Sequence, residues 1–456
     1  MTQPKLHLGL FLQEAGHHVA GWRHPQAVAL AASDFRHYTA LARLAEAACF
    51  DMVFIQDSYA MRGASDLQAL SGTARALTWD PLTTLAALAA VTERIGLVGT
   101  ATTTYNEPYA VARQFASLDH LSGGRAGWNL VTSNNESEAR NFSRSSHAQH
   151  ADRYARASEF LDVVRGLWDS WQDDAWLLDK ETGRFFDPER LHVLQHRGEH
   201  FSVQGPLTVA RPPQGHPVLV QAGSSDTGRA LGARGADVIF TAQHQKETAQ
   251  AFYRDMKQRA ADAGRPVGAP LIMPGLAPVV GRSRQEAQDK QAQLQEAVPP
   301  AVGLATLATS LGEVDLSAYP LDGPLPELPP TNGPTSRRQL LVELARRDNL
   351  TIRQLYQHVT GARGHLTVVG TAQDVADVMQ DWLESQAADG FNIMPAHFPA
   401  ALEDFTQAVV PELQRRGLFR TQYEGHTLRD HLGLQRPVHP LSLIHISEPT
   451  RQEAIS

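Results

Sequence analysis

Residues 123–154 read GGRAGWNLVTSNNESEARNFSRSSHAQHADRY. Gly123, Gly124 and Arg125 make a basic turn, Ala126 to Val131 is a short apolar run, and Asn129, Thr132, Ser133, Asn134 and Asn135 form a polar cluster at its end. An apolar run that empties into amides and hydroxyls predicts a buried parallel strand delivering its last residues to a site, because loops held by a rigid scaffold are where chemistry collects. Beyond it the pattern predicts a helix from His150 to Trp171. His150 and Tyr154, four residues apart, project from one face of that helix.

Working outward, the same alternation recurs on both sides. Leu6 to Leu12, Met52 to Ile55 and Ile95 to Gly99 read as strands before the quoted stretch. Val218 to Gln221, Asp237 to Phe240, a run within Pro270 to Val280, and Phe391 to Met394 follow it. Helical spacing falls between them, at Asp34–Cys49, Asp80–Glu93, Pro108–Leu121, Thr227–Arg234, Gln245–Ala263, Ser283–Val298, Gln339–His358, Asp374–Asp389 and Ala400–Arg416. Asp80 caps the second of these with Pro81 in its first turn, and Gly417 ends the last.

Eight strands alternating with helices predict an α/β fold, a (β/α)8 TIM barrel with insertions. An open doubly wound sheet is the alternative, but no strand is followed by Gly-x-Gly-x-x-Gly and no Gly-x-x-x-x-Gly-Lys-Ser/Thr loop is present. Residues 1–440 read as one domain, interrupted at about 172–217 and 299–365, where periodicity fails or Pro and Gly accumulate. The final LSLIHISEPTRQEAIS, 441–456, is unlike the rest and reads as a non-native or disordered tail.

Composition narrows the function classes. A hydrophobic content of 42% is that of a globular chain with a large core. With 41 Lys and Arg against 49 Asp and Glu, the net charge of −8 argues against nucleic acid and anionic membranes as partners. Cys49 is the single cysteine, so neither an internal disulfide nor a Cys-cluster metal site is available. No signal peptide or membrane span is evident, and a cytoplasmic location is expected.

In a barrel of this kind the site is assembled where the strands end. Those positions carry His17 and His18, Gln56 and Asp57, Thr100 to Thr104, Asn129 with Thr132 and Ser133, Gly223 to Ser225, and Thr241 with Gln243. Neutral hydrogen-bonding groups dominate, which suits a large polar heteroaromatic ring gripped by its edge. Gly223-Ser224-Ser225 lies where a helix begins and reads either as a phosphate site or as an ordinary helix cap. His17 and His18 lack Asp, Glu or Cys partners at ligand spacing, and no metal site is predicted.

The run GRAGWNLVTS followed by EARNFS and a helical His-x-x-x-Tyr resembles the flavin-dependent monooxygenases related to nitrilotriacetate and dibenzothiophene-sulfone monooxygenases, in the bacterial-luciferase superfamily. The resemblance extends from about Leu6 to about Gly433. It implies that Asp57, Thr103, Asn129, His150, Tyr154, Ser224 and Ser225 contact flavin mononucleotide (FMN). It also implies reduced FMN delivered by a separate NAD(P)H:flavin reductase, O2 as co-substrate activated as a C4a-peroxyflavin, and a homo-oligomeric assembly, dimer or tetramer. The substrate is a small organic molecule such as an aminopolycarboxylate or an organosulfur compound, often cleaved at C–N or C–S. Beside a flavin, His17 is the catalytic candidate, since an imidazole can manage a proton at the reacting oxygens. Two alternatives stay open, an F420-dependent oxidoreductase and a non-catalytic flavin-binding barrel.

Overall fold

Apolar runs of four to ten residues, buried on both faces, pair side by side and in parallel until the last returns to the first. The computed structural model describes residues 5–441 apart from 29, 65, 134, 313 and 330–334. Asn134 of the quoted cluster and all of the terminal segment but Leu441 lie outside the described residues. The strands are β1 (His7–Phe11), β2 (Met52–Ile55), β3 (Gly96–Thr102), β4 (Ala126–Val131), β5 (Val218–Gln221), β6 (Val238–Thr241), β7 (Leu271–Val280) and β8 (Gly390–Ile393). Each pairs with the next, and β8 pairs with β1 in the register His7↔Gly390 to Leu10↔Ile393, which closes the predicted barrel.

Helices α1 (Phe35–Ala47), α2 (Pro81–Ala89), α3 (Pro108–Leu121), α4 (His150–Trp168), α5 (Asp226–Gly235) and α6 (Lys246–Asp262) follow the first six strands. Asp80 caps α2 by accepting the Thr83 N–H at 2.7 Å, with Pro81 in the first turn as expected. Gly417, at φ 75°, follows the helix Val410–Arg415 and donates its N–H to the Gln414 carbonyl.

The structure departs from expectation in four places. β3 runs on through Thr102, so Thr100 and Thr102 lie in register with Asn129 and Val131 instead of beginning a loop. Threonine is β-branched and accepts a strand readily. The single helix expected at Gln339–His358 is two, Thr335–Arg347 and Ile352–Ala362. Asn349 turns the chain at φ 50°, and a capping box between Thr351 and Gln354 restarts it. Finally, Pro300–Ser310 is helical, and Leu366–Gly370 forms a ninth strand on the second half of β7.

Between β7 and β8 the helices Pro300–Ser310, Thr335–Arg347 and Ile352–Ala362 share a small core of Leu307, Leu341, Leu344, Ile352, Leu355, Tyr356 and Val359. Ala20, from the loop after β1, packs into it, so this insertion and the first loop cover the same side of the barrel mouth. Residues 172–217 form two small antiparallel hairpins. Among the described residues no helix is long and apolar enough to cross a membrane.

The opposite end of the barrel is closed by charge. Asp51, Asp237 and Asp389 each immediately precede a strand, and each accepts a backbone N–H from the strand before it. The donors are Leu8 at 2.7 Å, Leu219 at 2.9 Å and Ile272 at 2.8 Å. Each also holds a cation, Arg420 on Asp51, Arg429 on Asp237 and Lys257 on Asp389. Burial would raise the Asp51 and Asp237 carboxyls, but these cations outweigh it and hold both below the usual range. Arg125 of the quoted turn belongs to this end. Its guanidinium, 2% exposed, donates to the carbonyls of Ala89, Thr92, Ile95 and Ser122 and to the Thr92 hydroxyl, tying the end of α2 to the start of β4.

Candidate active site

The C-terminal ends of the strands carry the polar residues, and the structure gathers them into two groups joined by α4. The first lies at the ends of β2, β3 and β4. Asn129 donates its Nδ2 to Thr100 Oγ1 at 2.8 Å, and Thr100 in turn donates to the Ile55 carbonyl at 2.9 Å. Asn129 Oδ1 is buried without a partner among the described residues. Thr103, fully buried, gives both its N–H (2.9 Å) and its Oγ1 (3.2 Å) to the Val131 carbonyl. Asp57 follows β2, half-buried, and accepts the Ser58 N–H at 2.8 Å. Burial first, then Asp80 and Glu138, push its carboxyl up to about 6, against the opposing pull of Ser58 and Arg62.

The second group meets where α4 and α5 begin. His150 and Tyr154 stand on the first two turns of α4 with ring centroids 4.7 Å apart. His150 Nε2 is 3.5 Å from Ser225 Oγ, and Ser225 caps α5 by accepting the Gly228 N–H at 3.2 Å. Ser224 is exposed beside it, its carbonyl held by Arg229 Nε at 3.0 Å. Gly223 and Gly228 face one another, and a Cβ on Gly228 would stand 3.0 Å from both Gly223 Cα and the Tyr154 hydroxyl oxygen. The close packing leaves no room for a side chain at either glycine. Arg156, also on α4, donates to the Thr103 carbonyl at 3.1 Å and so fixes this group relative to the strand ends.

His17 lies across the mouth, fully buried. Its Nε2 donates to the Phe11 carbonyl at 2.8 Å, while Arg363 Nη2 donates to its Nδ1 at 3.2 Å. Burial, then Arg363, hold its pKa well below the ordinary histidine value, so His17 brings a neutral imidazole with its tautomer set by Phe11. His18 accepts the Ala20 N–H at 3.1 Å and is likewise neutral, lowered by burial and Arg75 to about 3.

Several residues of the mouth were not singled out in the sequence. Asn392 Oδ1 is buried without a partner among the described residues, like Asn129 Oδ1, whereas Gln221, also unpartnered among them at Oε1, turns outward against Gly232 of α5. Asn392 fits because Gly9 has no side chain, since a Cβ there would stand 2.8 Å from Asn392 Oδ1. Asn392 sits inside β8, where a reading of loops alone passes over it. Glu138, 2% exposed, accepts hydrogen bonds from Ser58 (2.9 Å) and Ser133 (2.5 Å). Arg62, Arg75 and Arg363 come from loops and the insertion, which give no period to follow.

The hydroxyl and imidazole groups of Tyr154, Ser225 and His150 at the start of α5 suit a flavin phosphate, and the buried amide oxygens of Asn129 and Asn392 suit donors on the edge of a ring. The model of the luciferase-like monooxygenases matches residues 15–390 of the chain. The chain belongs to that family. It is an oxidoreductase that acts as a monooxygenase. It is 52% identical over 442 residues to N-acetyl-S-(2-succino)cysteine monooxygenase of Bacillus subtilis (strain 168), covering 96% of this chain and 99% of that one. To nitrilotriacetate monooxygenase component A of Aminobacter aminovorans it is 52% identical over 440 residues, covering 95% and 97%. The crystal structure of riboflavin lyase with modified FMN and riboflavin superposes with a TM-score of 0.83 at 32% identity, over 96% of this chain and 99% of that one.

Proposed function

We propose that the protein is a reduced-FMN-dependent monooxygenase that oxygenates a small organic substrate with O2 and depends on a separate reductase. The observation that carries this reading is the meeting of His150, Tyr154 and Ser225 at the start of α5. There Tyr154, Ser224, Ser225 and His150 would hold the FMN phosphate through hydroxyl, imidazole and backbone N–H groups. Asp57, Thr103 and Asn129 would meet the ring system at the ends of β2, β3 and β4. Bound and reduced, the flavin supplies the electrons and the activation of O2; the protein supplies orientation and exclusion of water.

His17 remains the catalytic candidate, as a neutral imidazole at the mouth. Its hydrogen bond to Phe11 fixes the ring and leaves Nδ1 as the acceptor that Arg363 now occupies. A substrate or oxygen-bound proton that displaces Arg363 would find this acceptor already oriented. The relatives at 52% identity are named for N-acetyl-S-(2-succino)cysteine and nitrilotriacetate, which supports a substrate from the aminopolycarboxylate or organosulfur classes.

The purified chain given NADH or NADPH and oxidised FMN should not turn over, and adding an unrelated flavin reductase should start turnover. The component A designation of the nitrilotriacetate relative supports this division of labour. Turnover by the chain alone would defeat the two-component reading.

A further inference from the structure

The insertion between β7 and β8 reaches the mouth through the turn that ends its last helix. That helix, Ile352–Ala362, packs on the loop after β1: the Val19 N–H donates to the Thr360 carbonyl at 2.9 Å, and Ala20 enters the insertion core. It ends on two consecutive residues in the left-handed region, Arg363 at φ 52° and Gly364 at φ 84°. Glycine takes that conformation freely, whereas for a residue with a Cβ it costs about 1–2 kcal/mol. An arginine at the first of the two positions is explained by where the turn sends its side chain. Its Nη2 donates to Gln13 Oε1 and, at 3.2 Å, to His17 Nδ1, and the guanidinium carbon lies 6.0 Å from the centre of the Phe11 ring.

Both ring contacts of His17 run in one direction only. The Phe11 carbonyl can only accept, so Nε2 carries the hydrogen, and a guanidinium can only donate, so Nδ1 carries the lone pair. The contact with Arg363 and a proton on Nδ1 therefore exclude each other. Other charged or titratable groups surround the same ring. Arg75, of the loop after β2, donates its Nη2 to the His17 carbonyl at 2.6 Å, and His365 comes from the turn itself. Glu14, of the His17 loop, interacts with Arg75 and Arg363, while His18 beside it is uncharged, lowered to about 3. Arg363 is the group that meets the ring nitrogen.

We propose that Arg363 is a positioning residue through which the insertion governs His17, holding the ring as its Nε2–H tautomer and covering Nδ1 in the ligand-free protein. The proposal rests on the reading of His17 as the proton-handling group of a monooxygenase. It gives the insertion a task at the reacting centre. A ligand that enters the mouth replaces the guanidinium before it meets the imidazole acceptor, so an empty site keeps its base covered. Val19 and Ala20 hold the His17 loop to the helix that ends at Arg363, so base and cover are carried by one packed unit.

The test uses the full chain carrying 15N-labelled histidine, with the His17 resonances taken as those lost in His17→Ala. In the ligand-free wild type Nε2 should be protonated and Nδ1 bare, with a titration midpoint below the ordinary histidine value of about 6.5. Arg363→Gln should raise that midpoint. Arg363→Lys should reverse part of the rise, since an ammonium still donates to Nδ1 but lacks the planar fork. Single turnovers with reduced FMN and nitrilotriacetate as the probe supply a second readout. Product from Arg363→Gln, relative to wild type, should be about 2–10-fold lower at pH 6 than at pH 8, because a proton on His17 removes the acceptor. An arginine that only packs the turn would lower stability and move neither the midpoint nor the pH dependence. FMN affinity, measured separately by equilibrium titration, checks the monooxygenase reading, and the histidine titration decides the role of Arg363 whether or not nitrilotriacetate is a substrate. A wild-type His17 that titrates near about 6.5 overturns the proposal even if the variant folds poorly, and so does an Arg363→Gln protein with the wild-type midpoint.

Discussion

At the N-terminal ends of the strands Asp51, Asp237 and Asp389 each take a neighbouring strand's N–H and a cation, whereas toward the C-terminal ends Asn129 and Asn392 each keep a buried oxygen with no partner among the described residues. At one end of the barrel these three carboxylates are thus neutralised by cations, and at the other two amide oxygens stay buried without partners among the described residues. An unpaired buried polar atom costs about 1–3 kcal/mol, so the second end is held open at the expense of stability. What the difference teaches is a division of roles. The bottom stabilises the barrel and the top is shaped for ligands, as expected when sites collect at the C-terminal face.

The largest effect should come from breaking the bottom. Asp237→Ala removes the partner of Arg429 and of the Leu219 N–H at once, leaving a buried cation unpaired. Stability to chemical denaturation should fall by about 3–5 kcal/mol. Flavin affinity of the protein that remains folded should not change. A loss below about 1 kcal/mol would mean that these carboxylates are incidental to closure.

Next is His17→Ala, which attacks the top. Product formation per turnover should fall by about 10²–10⁴-fold with flavin binding intact. Oxygen uptake should continue, with hydrogen peroxide released in place of product. Measuring product and peroxide in single-turnover experiments separates this from a packing role, in which coupling would stay near that of the wild type.

How far the sequence exposes this division depends on which end is asked. The eight strands were legible because they are continuous apolar runs set between helices with periodic faces, and the cap at Asp80 and the stop at Gly417 are local chemistry. Arg125 was legible as a turn residue but not as the anchor of α2, since its partners Ala89 to Ile95 lie some thirty positions upstream. At the top, His150, Tyr154 and Ser225 could be paired because helix spacing and a helix start announce them. Arg62, Arg75 and Arg363 could not be found that way. They come from irregular loops and from an insertion whose core forms only after residues 298–359 fold against Ala20.

The proposed phosphate site gives a smaller effect, and one that separates binding from capping. Ser224→Ala with Ser225→Ala should weaken FMN by about 2–4 kcal/mol, if each hydroxyl contributes about 1–2. Ser225→Ala alone should also lower stability by about 1 kcal/mol, because it caps α5 through Gly228. Ser224→Ala, exposed and without a capping bond, should leave stability unchanged. Unaltered FMN affinity in the double variant would remove the phosphate from this end of the barrel.

The smallest expected effect concerns Asp57, and it tests the comparison within one residue. Its carboxyl stands at about 6 in the folded protein, raised by burial, by Asp80 across the loop and by Glu138 from the α4 side, and opposed by the Ser58 N–H and Arg62. Unfolded, the same group titrates near 3.8. A folded value above the unfolded one means that its contribution to stability is present below about pH 3.8 and is lost as pH rises through about 6. Asp51 and Asp237, held below the usual range, run the other way and lose their contribution as the solution is acidified. Asp57→Asn should therefore raise the thermal midpoint at pH 8, by about 1–2 °C in a chain of this length, and by less at pH 5. The same substitution should weaken FMN, since the negative acceptor proposed for the ring is gone. Stability gained at neutral pH together with affinity lost is the signature of a residue kept at the top for its ligand. A variant that loses stability at pH 8 would place Asp57 with the carboxylates of the bottom.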